Sequence, residues 1–339
     1  MPDSPRPSPT VTVLIPMRNE AASIETCLKS VLCNRLPEAM TLELLVLDGA
    51  STDDSASRVA AIADRDSRVR LIDNPDRLQA AAFNRGLAEA RGEYLVRLDA
   101  HSEYGDDYIA ECIRLLQTTG AENVGGVQRA IGTSAVGRAI AVAVSSPFAA
   151  GDAHYRFATE PRFTDTVYLG AWRTSTLRRL GGMRADWAAN EDYEMNVRLR
   201  AAGGRIYLSP SIRSTYQVRD SLTALARQYT RYGFWKVRTL LAHPSSLRWR
   251  QTVAPAFVIS VLAAWPLVHR FGALGASHLL VYALANATAS MITAARSQWR
   301  HLLLLPVIFL VIHLGYGAGF LGGLCYWPFR QRRSVRAVS

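Results

Sequence analysis

The chain has 339 residues, 49% hydrophobic and 20% charged, which excludes a disordered protein and leaves room for one large domain with a smaller appendage. Its formal net charge of +11 suits an acidic partner such as nucleic acid, an anionic membrane face or a phosphorylated substrate. Lys29 and Lys236 are the only lysines; an arginine- and alanine-rich composition is also what coding bias produces. The arginines are dispersed except in 222–243 and the tail, which argues against a nucleic-acid-binding face. Cys27, Cys33, Cys112 and Cys325 form no C-x-x-C pair, which argues against a zinc site or a disulfide frame.

The opening "MPDSPRPSPT" (1–10) is proline-rich and polar, and reads as a disordered lead-in rather than a secretory signal. "TVTVLIP" then reads as a strand, and "EAASIETCLKSVL" as a helix with Ile24, Cys27, Leu28 and Val31 on one face. The pattern repeats: strand "LELLVLDG" with helix "DDSASRVAAIAD", strand "VRLIDNP" with helix "AAAFNRGLAEAR", strand "EYLVRLDAH" with helix "DDYIAECIRLLQTTG". Four strand–helix repeats predict an α/β domain over 11–220 with a parallel sheet and right-handed crossovers. Ligands of such sheets gather beyond the carboxyl ends of the strands.

From 251 to 328 the chain suits a different solvent. The segments 253–268, 273–295 and 302–327 are nearly free of charge, and the second and third reach the ~20 residues a bilayer span needs. Buried core helices would read the same way, but three in succession with Trp, His and Arg at their edges favour membrane helices. The region 221–250 interleaves Arg227, Arg231, Lys236 and Arg238 with Tyr229, Tyr232, Phe234 and Trp235, as a helix in the headgroup layer would. The basic tail 329–339 is expected on the cytoplasmic side, with the catalytic domain, at a plasma or inner membrane. Three full crossings would put that tail outside, so one segment, the short first one, is expected to be interfacial or re-entrant.

The strands end in "IPMRNE", "LDGASTDD", "DNP" and "LDAH". Asn19, Ser51 and Asp53 are good helix N-cap types, and each polar group alone reads as a cap. Together they line one edge of one sheet, where a nucleotide would sit. In "LDAH", period-2 alternation turns Asp99 and His101 to the same side.

"IPMRNE", "DGASTDDS", "AAAFNRG", "DAH" and "NEDYEMNVRLRAAG" resemble, in order and spacing, the motifs of the family 2 glycosyltransferases, across roughly residues 10–240. "DTVYLGAWRTSTLRRLGGMR" and "RQYTRYGFWK" are similar to bacterial succinoglycan-type, ExoA-like members. The resemblance implies a GT-A fold, a Rossmann-like nucleotide-diphospho-sugar transferase domain, with C-terminal membrane helices. It implies transfer of a hexose from a UDP-sugar to a polyprenyl-diphosphate-linked saccharide in exopolysaccharide or cell-surface glycan assembly. A polyprenyl-phosphate sugar synthase is the alternative, and a nucleotide- or nucleic-acid-binding membrane protein the non-enzyme one.

By that resemblance Pro16, Arg18 and Glu20 would surround the nucleoside, Asp48 would bond the uracil or ribose, and Asn84 and Arg85 would touch the nucleotide. Ala80 and Ala81 stand where the family carries a glycine-bearing turn. Asp99 would face the sugar diphosphate and its Mn²⁺ or Mg²⁺, with His101 in place of the family's second aspartate as a metal ligand. Asp192 would be the general base and Glu191 would hold the acceptor or orient the loop; three acidic residues in a first turn also simply favour the helix dipole. An inverting displacement follows from the family. Trp172 would stack on an acceptor sugar or belong to the core. Gln228 and Arg231 match the Q-x-x-R part of a segment that grips glycan in processive relatives, and the displaced tryptophan argues for a single transfer instead.

Overall fold

A computed structural model describes residues 11–336, with side chains through Arg330. The lead over 1–10 and the end of the basic tail lie outside the described residues. Two compact units divide the chain: residues 1–129 with 157–216, and residues 130–156 with 217–339.

The first unit begins with the four expected repeats. Strands β1 (Val11–Met17), β2 (Leu42–Asp48), β3 (Val69–Asp73) and β4 (Tyr94–Arg97) alternate with helices α1 (Ile24–Leu32), α2 (Ser55–Ala63), α3 (Gln79–Glu89) and α4 (Tyr108–Thr118). Every residue of β2 is buried, the pattern of a parallel strand covered on both faces. In α1 the buried residues are the expected Ile24, Cys27, Leu28 and Val31, at the spacing of one helical stripe. Pairing of β3, β2, β1 and β4 is parallel, with Met17 opposite Asp48 and Asp48 opposite Asp73. This register brings the strand ends to one edge.

The sheet then changes direction. Its order is β3-β2-β1-β4-β7-β5-β8-β6, with β5 (Asn123–Ile131), β6 (Arg162–Thr164), β7 (Tyr168–Arg173) and β8 (Ile206–Gln217). β7 runs antiparallel between β4 and β5 and sets Gly170 opposite Arg97. Helices α7 (Thr174–Leu180) and α8 (Glu191–Ala201) follow it. The fourth strand is shorter than "EYLVRLDAH" suggests, so Asp99 and His101 stand on the loop just past Arg97.

The second unit contains α5 (Ala135–Val144), α6 (Pro147–Ala150) and α9 (Leu222–Ala242), then α10 (Arg250–Phe271), α11 (Ser277–Arg296) and α12 (Leu305–Arg336). The stretches 250–296 and 305–330 are long and apolar enough to cross a bilayer by length and composition. Glycines lock α9 against α12. A Cβ on Gly319 would collide with the Thr230 carbonyl, one on Gly233 with that of Tyr316, and one on Gly323 would lie 2.7 Å from the Phe234 oxygen. Such small-residue contacts let two helix backbones approach closely. The ring of Trp327 packs 4.9 Å from that of Trp235, and its indole N–H donates to the Phe234 carbonyl at 2.9 Å.

A Cβ on Gly322 meets nothing, so it provides a control on the same helix. Gly319→Leu is expected to destabilise the purified protein by about 1–3 kcal/mol, the usual cost of overpacking. Gly322→Leu should leave the thermal unfolding midpoint in detergent within error of the parent.

Candidate active site

Two loops build one wall at the strand ends. The loop after β1 and the loop after β2 are sewn together by side chains on backbone amides. Thr52 N–H donates to Asn19 Oδ1 at 2.8 Å, Glu20 N–H to Ser55 Oγ at 2.7 Å, and Ala21 N–H to Asp53 Oδ2 at 3.2 Å. Asp48 is buried at the end of β2, and the Ser51 hydroxyl donates to its carboxylate at 2.5 Å. Pro16 is half-buried beside it and Arg18 is exposed. Asn19 and Ala50 both sit in the left-handed region, at φ 56° and 55°. For residues with a Cβ such backbone costs free energy and persists only where surrounding bonds impose it.

The centre of the site is the loop past β4. Tyr104 clasps it: the Asp99 N–H donates to Tyr104 Oη at 2.7 Å, and that hydroxyl donates to the Asp99 carbonyl at 2.9 Å. The Asp99 carboxylate accepts from Tyr168 Oη at 3.2 Å and from Gln79 Nε2 at 3.4 Å. His101 is exposed, and its Nδ1 lies 3.1 Å from Glu20 Oε1. Glu20 also accepts from the Ser23 hydroxyl at 3.0 Å. The two residues expected separately at the nucleoside and at the metal thus touch each other.

Arg97, the last residue of β4, is a charge that the motifs did not point to. Its side chain is 6% exposed, and Nη2 lies 3.6 Å from Asp99 Oδ1 and 3.8 Å from Glu191 Oε1. Its Nε and Nη1 are buried without a hydrogen-bond partner. The two neighbouring carboxylates hold the guanidinium charged against the opposing effect of burial. The signal was present in the sequence: Leu95, Arg97 and Asp99 share the period-2 face that carries Asp99 and His101.

Helix α8 supplies the other side. Asn190 precedes it at φ 61°, and Glu191, Asp192 and Glu194 fill its first turn. Glu194 is fully buried and gripped by Arg198, with Nη2 at 2.8 Å, and by Arg184, with Nε at 3.0 Å. Arg198 also donates to the carbonyls of Leu180 and Gly182. That cluster fixes the first turn and leaves Glu191 and Asp192 as the acidic pair beside Arg97. Burial, with Asp192 adding to it, pushes the Glu191 carboxyl up to about 7, and Arg97 opposes the rise. Asp192 is half-buried, and its Oδ1 accepts the Tyr193 N–H at 2.7 Å.

Five residues expected at the donor or the acceptor make other contacts in the structure. Trp172 is 1% exposed and meets Phe83 edge-on at 5.9 Å, so it belongs to the core and no sugar ring stacks on it. Both ends of the Asn84 amide are bonded to Met183: Oδ1 accepts its N–H at 2.8 Å and Nδ2 donates to its carbonyl at 2.6 Å. This latches α3 to the loop after α7 and commits the groups a nucleotide would use. Arg85 is exposed, with Asp76 at 3.7 Å. Gln228 and Arg231 lie on α9 in the second unit, where Gln228 donates to Tyr232 Oη at 3.0 Å.

The family model "Glycosyl transferase family 2" matches residues 12–169. The "Succinoglycan biosynthesis protein ExoA" of Rhizobium meliloti (strain 1021) is 30% identical over 94% of this chain and 96% of its own length. The chain belongs to glycosyltransferase family 2. A second relative of this glycosyltransferase, 23% identical over 93% of the chain and 97% of its own, is from Methanococcus voltae. Its description is "Dolichyl N-acetyl-alpha-D-glucosaminyl phosphate 3-beta-D-2,3-diacetamido-2,3-dideoxy-beta-D-glucuronosyltransferase". Among solved structures, the mannosyltransferase PcManGT from Pyrobaculum calidifontis, in complex with GDP-Man and Mn²⁺, superposes with a TM-score of 0.62. It covers 91% of this chain and 87% of that one at 22% identity, which shows the shared GT-A fold.

The donor set can be tested against a divalent cation. Among the described residues no three His, Cys, Asp or Glu side chains gather into a metal site. By the family resemblance Asp99 and His101 would be the two protein ligands, with diphosphate oxygens and water completing the shell, as is usual for Mg²⁺ at phosphates. The Glu20 carboxylate on His101 Nδ1 is the kind of partner that orients metal-binding histidines. A carboxylate and an imidazole are donor types that Mn²⁺ accepts.

Glu191 yields a stability test. Unfolded, its carboxyl titrates near the ordinary 4.5; folded, it keeps its proton up to about 7. Its contribution to stability is therefore complete below about pH 4.5 and is lost as the pH rises through about 7. The thermal midpoint of the parent should fall across that interval more steeply than that of Glu191→Gln. Parallel slopes would show that Glu191 does not titrate there.

Proposed function

We propose that this glycosyltransferase moves a hexose, with inversion, from a UDP-sugar to a hydroxyl of a polyprenyl-diphosphate-linked saccharide during exopolysaccharide or surface-glycan assembly. The observation that carries the reading is the line Asp99–Arg97–Glu191, with Asp192 adjoining it, at the carboxyl edge of the sheet. One end of that line stands among the nucleotide-side loops and the other at the first turn of α8. In this reading donor and acceptor groups lie on either side of that buried cation.

Pro16, Arg18, Glu20 and Asp48 bound the nucleoside pocket in this reading, and Arg85 reaches toward the phosphates from α3. Asp99 and His101 would hold Mn²⁺ or Mg²⁺, which would neutralise charge on the departing diphosphate. Asp192, more open than its neighbour, takes the proton from the attacking hydroxyl. Glu191 is kept in place by Arg97 and orients that turn. The names of the relatives support both a surface polysaccharide and a lipid-linked acceptor. The apolar C-terminal helices support membrane association, and in this reading the catalytic unit lies on the cytoplasmic side.

The test is transfer from a panel of UDP- and GDP-sugars to extracted lipid-linked acceptors, with Mn²⁺ or Mg²⁺ present. Asp192→Asn should lower the rate by about 10²–10⁴-fold, the range for losing a general base. A loss of only a few-fold would remove the base assignment and favour the polyprenyl-phosphate sugar synthase, whose phosphate nucleophile is already ionised. In the same assay Asp99→Ala should abolish metal-dependent transfer, whereas His101→Asp should stay active with an altered Mn²⁺/Mg²⁺ preference. Unchanged metal dependence in His101→Ala would return the histidine to an orienting partner of Glu20.

A further inference from the structure

Two stretches of the second unit have the length and composition of membrane spans, but they differ in surroundings. In the most apolar window of 250–296 only 17% of the residues are buried, against 44% in that of 305–330. Leu305, Ile308, Phe309 and Ile312 of α12 are at most 1% exposed, whereas α10 and α11 present Leu262, Trp265, Leu280 and Val281 at 61% exposure or more. His313, on the same buried side of α12, donates from Nε2 to the Phe148 carbonyl at 3.1 Å and accepts at Nδ1 from Tyr282 Oη at 3.0 Å. α12 buries one side in the second unit while Val307, Leu310 and Leu324 stay exposed, and α10 with α11 are the more open pair.

The neighbour of α12 makes the distinction sharper. A Cβ on Gly315 would lie 3.1 Å from the Ala226 oxygen, Gly319 abuts Thr230 and Gly323 abuts Phe234. The offset is constant, so α9 runs in the same direction as α12, side by side with it. Arg227, Arg231, Lys236 and Arg238 therefore stand level with roughly residues 316–327 of α12. A hydrocarbon slab around the apolar window of α12 would have to enclose those four charges, a costly placement in a bilayer. Only about ten residues of α12 precede that level, ~15 Å of helix against a hydrocarbon core of ~30 Å.

We infer that α12 does not cross the bilayer: it is the core helix of the second unit, and the hairpin α10–α11 is the element embedded in lipid. A hairpin returns to the side it left, so the chain after α11 stays with α9. No apolar run separates the first unit, which ends at Tyr216, from α9 at Leu222. Residues 297–339 therefore share the catalytic side. The charge distribution agrees with this placement. Residues 221–339 contain thirteen Arg and Lys and no Asp or Glu, so the whole positive surplus of the chain lies in this part. Apart from Arg270 these residues fall outside the interior of the hairpin, where the positive-inside rule holds them on the cytoplasmic face.

Natural cysteines report the sidedness. Cys33 in the first unit and Cys325 on α12 are exposed, and Cys27 and Cys112 are buried. The full-length protein is treated with a membrane-impermeant maleimide in sealed vesicles of both orientations. The variant Cys33→Ser reads Cys325 alone, and Cys325→Ser reads Cys33 alone. Both cysteines should react in vesicles with the catalytic face outward and stay protected in the opposite orientation. A second reporter, at the other end of α12, is Leu303→Cys in the Cys33→Ser, Cys325→Ser background, since Leu303 is 88% exposed. Labelling of residue 303 or 325 only from the face opposite Cys33, or only after detergent, would show that α12 crosses and overturn the inference. The readout involves no sugar transfer, so it stands apart from the fate of the proposed reaction.

Discussion

The buried guanidinium of Arg97 is the constraint around which the first unit is organised. A charge that is 6% exposed is tolerated only with counter-charges at hand, and here they come from Asp99 and Glu191. Asp99 is two residues further along the chain, on the loop past β4, whereas Glu191 arrives from α8, so keeping Arg97 neutralised requires that helix to begin beside the sheet edge. The Arg198–Glu194 cluster fixes the helix there. Separations of 3.6 and 3.8 Å, with Nε and Nη1 unpartnered, leave the pairing incomplete. An under-satisfied buried cation between two carboxylates keeps both of them responsive to any further charge that enters the site.

Backbone strain follows the same geography. Asn19, Ala50, Arg77, Leu169 and Asn190 all have φ between 55° and 61°. Asn19, Ala50 and Arg77 follow β1, β2 and β3, Leu169 lies in β7 next to the residue opposite Arg97, and Asn190 precedes α8. Leu169 is the most telling, because a bulky residue gains no local hydrogen bond in that region to offset its cost. Its neighbour Tyr168 is bonded to Asp99 and the pairing of Gly170 with Arg97 is part of the sheet. The strand is thus held from both sides while its backbone turns.

What could be read from the chain alone was local. The first four strands and helices follow from alternation and stripe periodicity, and Asp99 and Asp192 stand out through motif order. The antiparallel half was not legible. "RFT" and "YLGAWR" are short, and nothing in them announces that β7 lies between β4 and β5. Partners across long separations were also hidden: Asn84 meets Met183 and Glu20 meets His101 only after folding. An amide with both ends occupied looks the same in a sequence as one awaiting a ligand. Trp172 shows the same limit, since a tryptophan beside a motif has equal claim to a sugar and to a core until its burial is known.

The histidine in "DAH" and the arginine in "LVRL" gain sense when considered together. A nucleoside diphosphate brings negative charge to the strand ends, where Asp48, Asp99, Glu191 and Asp192 already stand. Replacing a further carboxylate by imidazole removes one repulsive charge, and Arg97 adds a positive one that water screens little because it is buried. Both residues move the local balance in the direction an anionic substrate favours. Asp99 is then shared among Arg97, Tyr168 and Gln79. A carboxylate with three protein partners is pre-positioned, so its orientation is set by the fold before any ligand arrives.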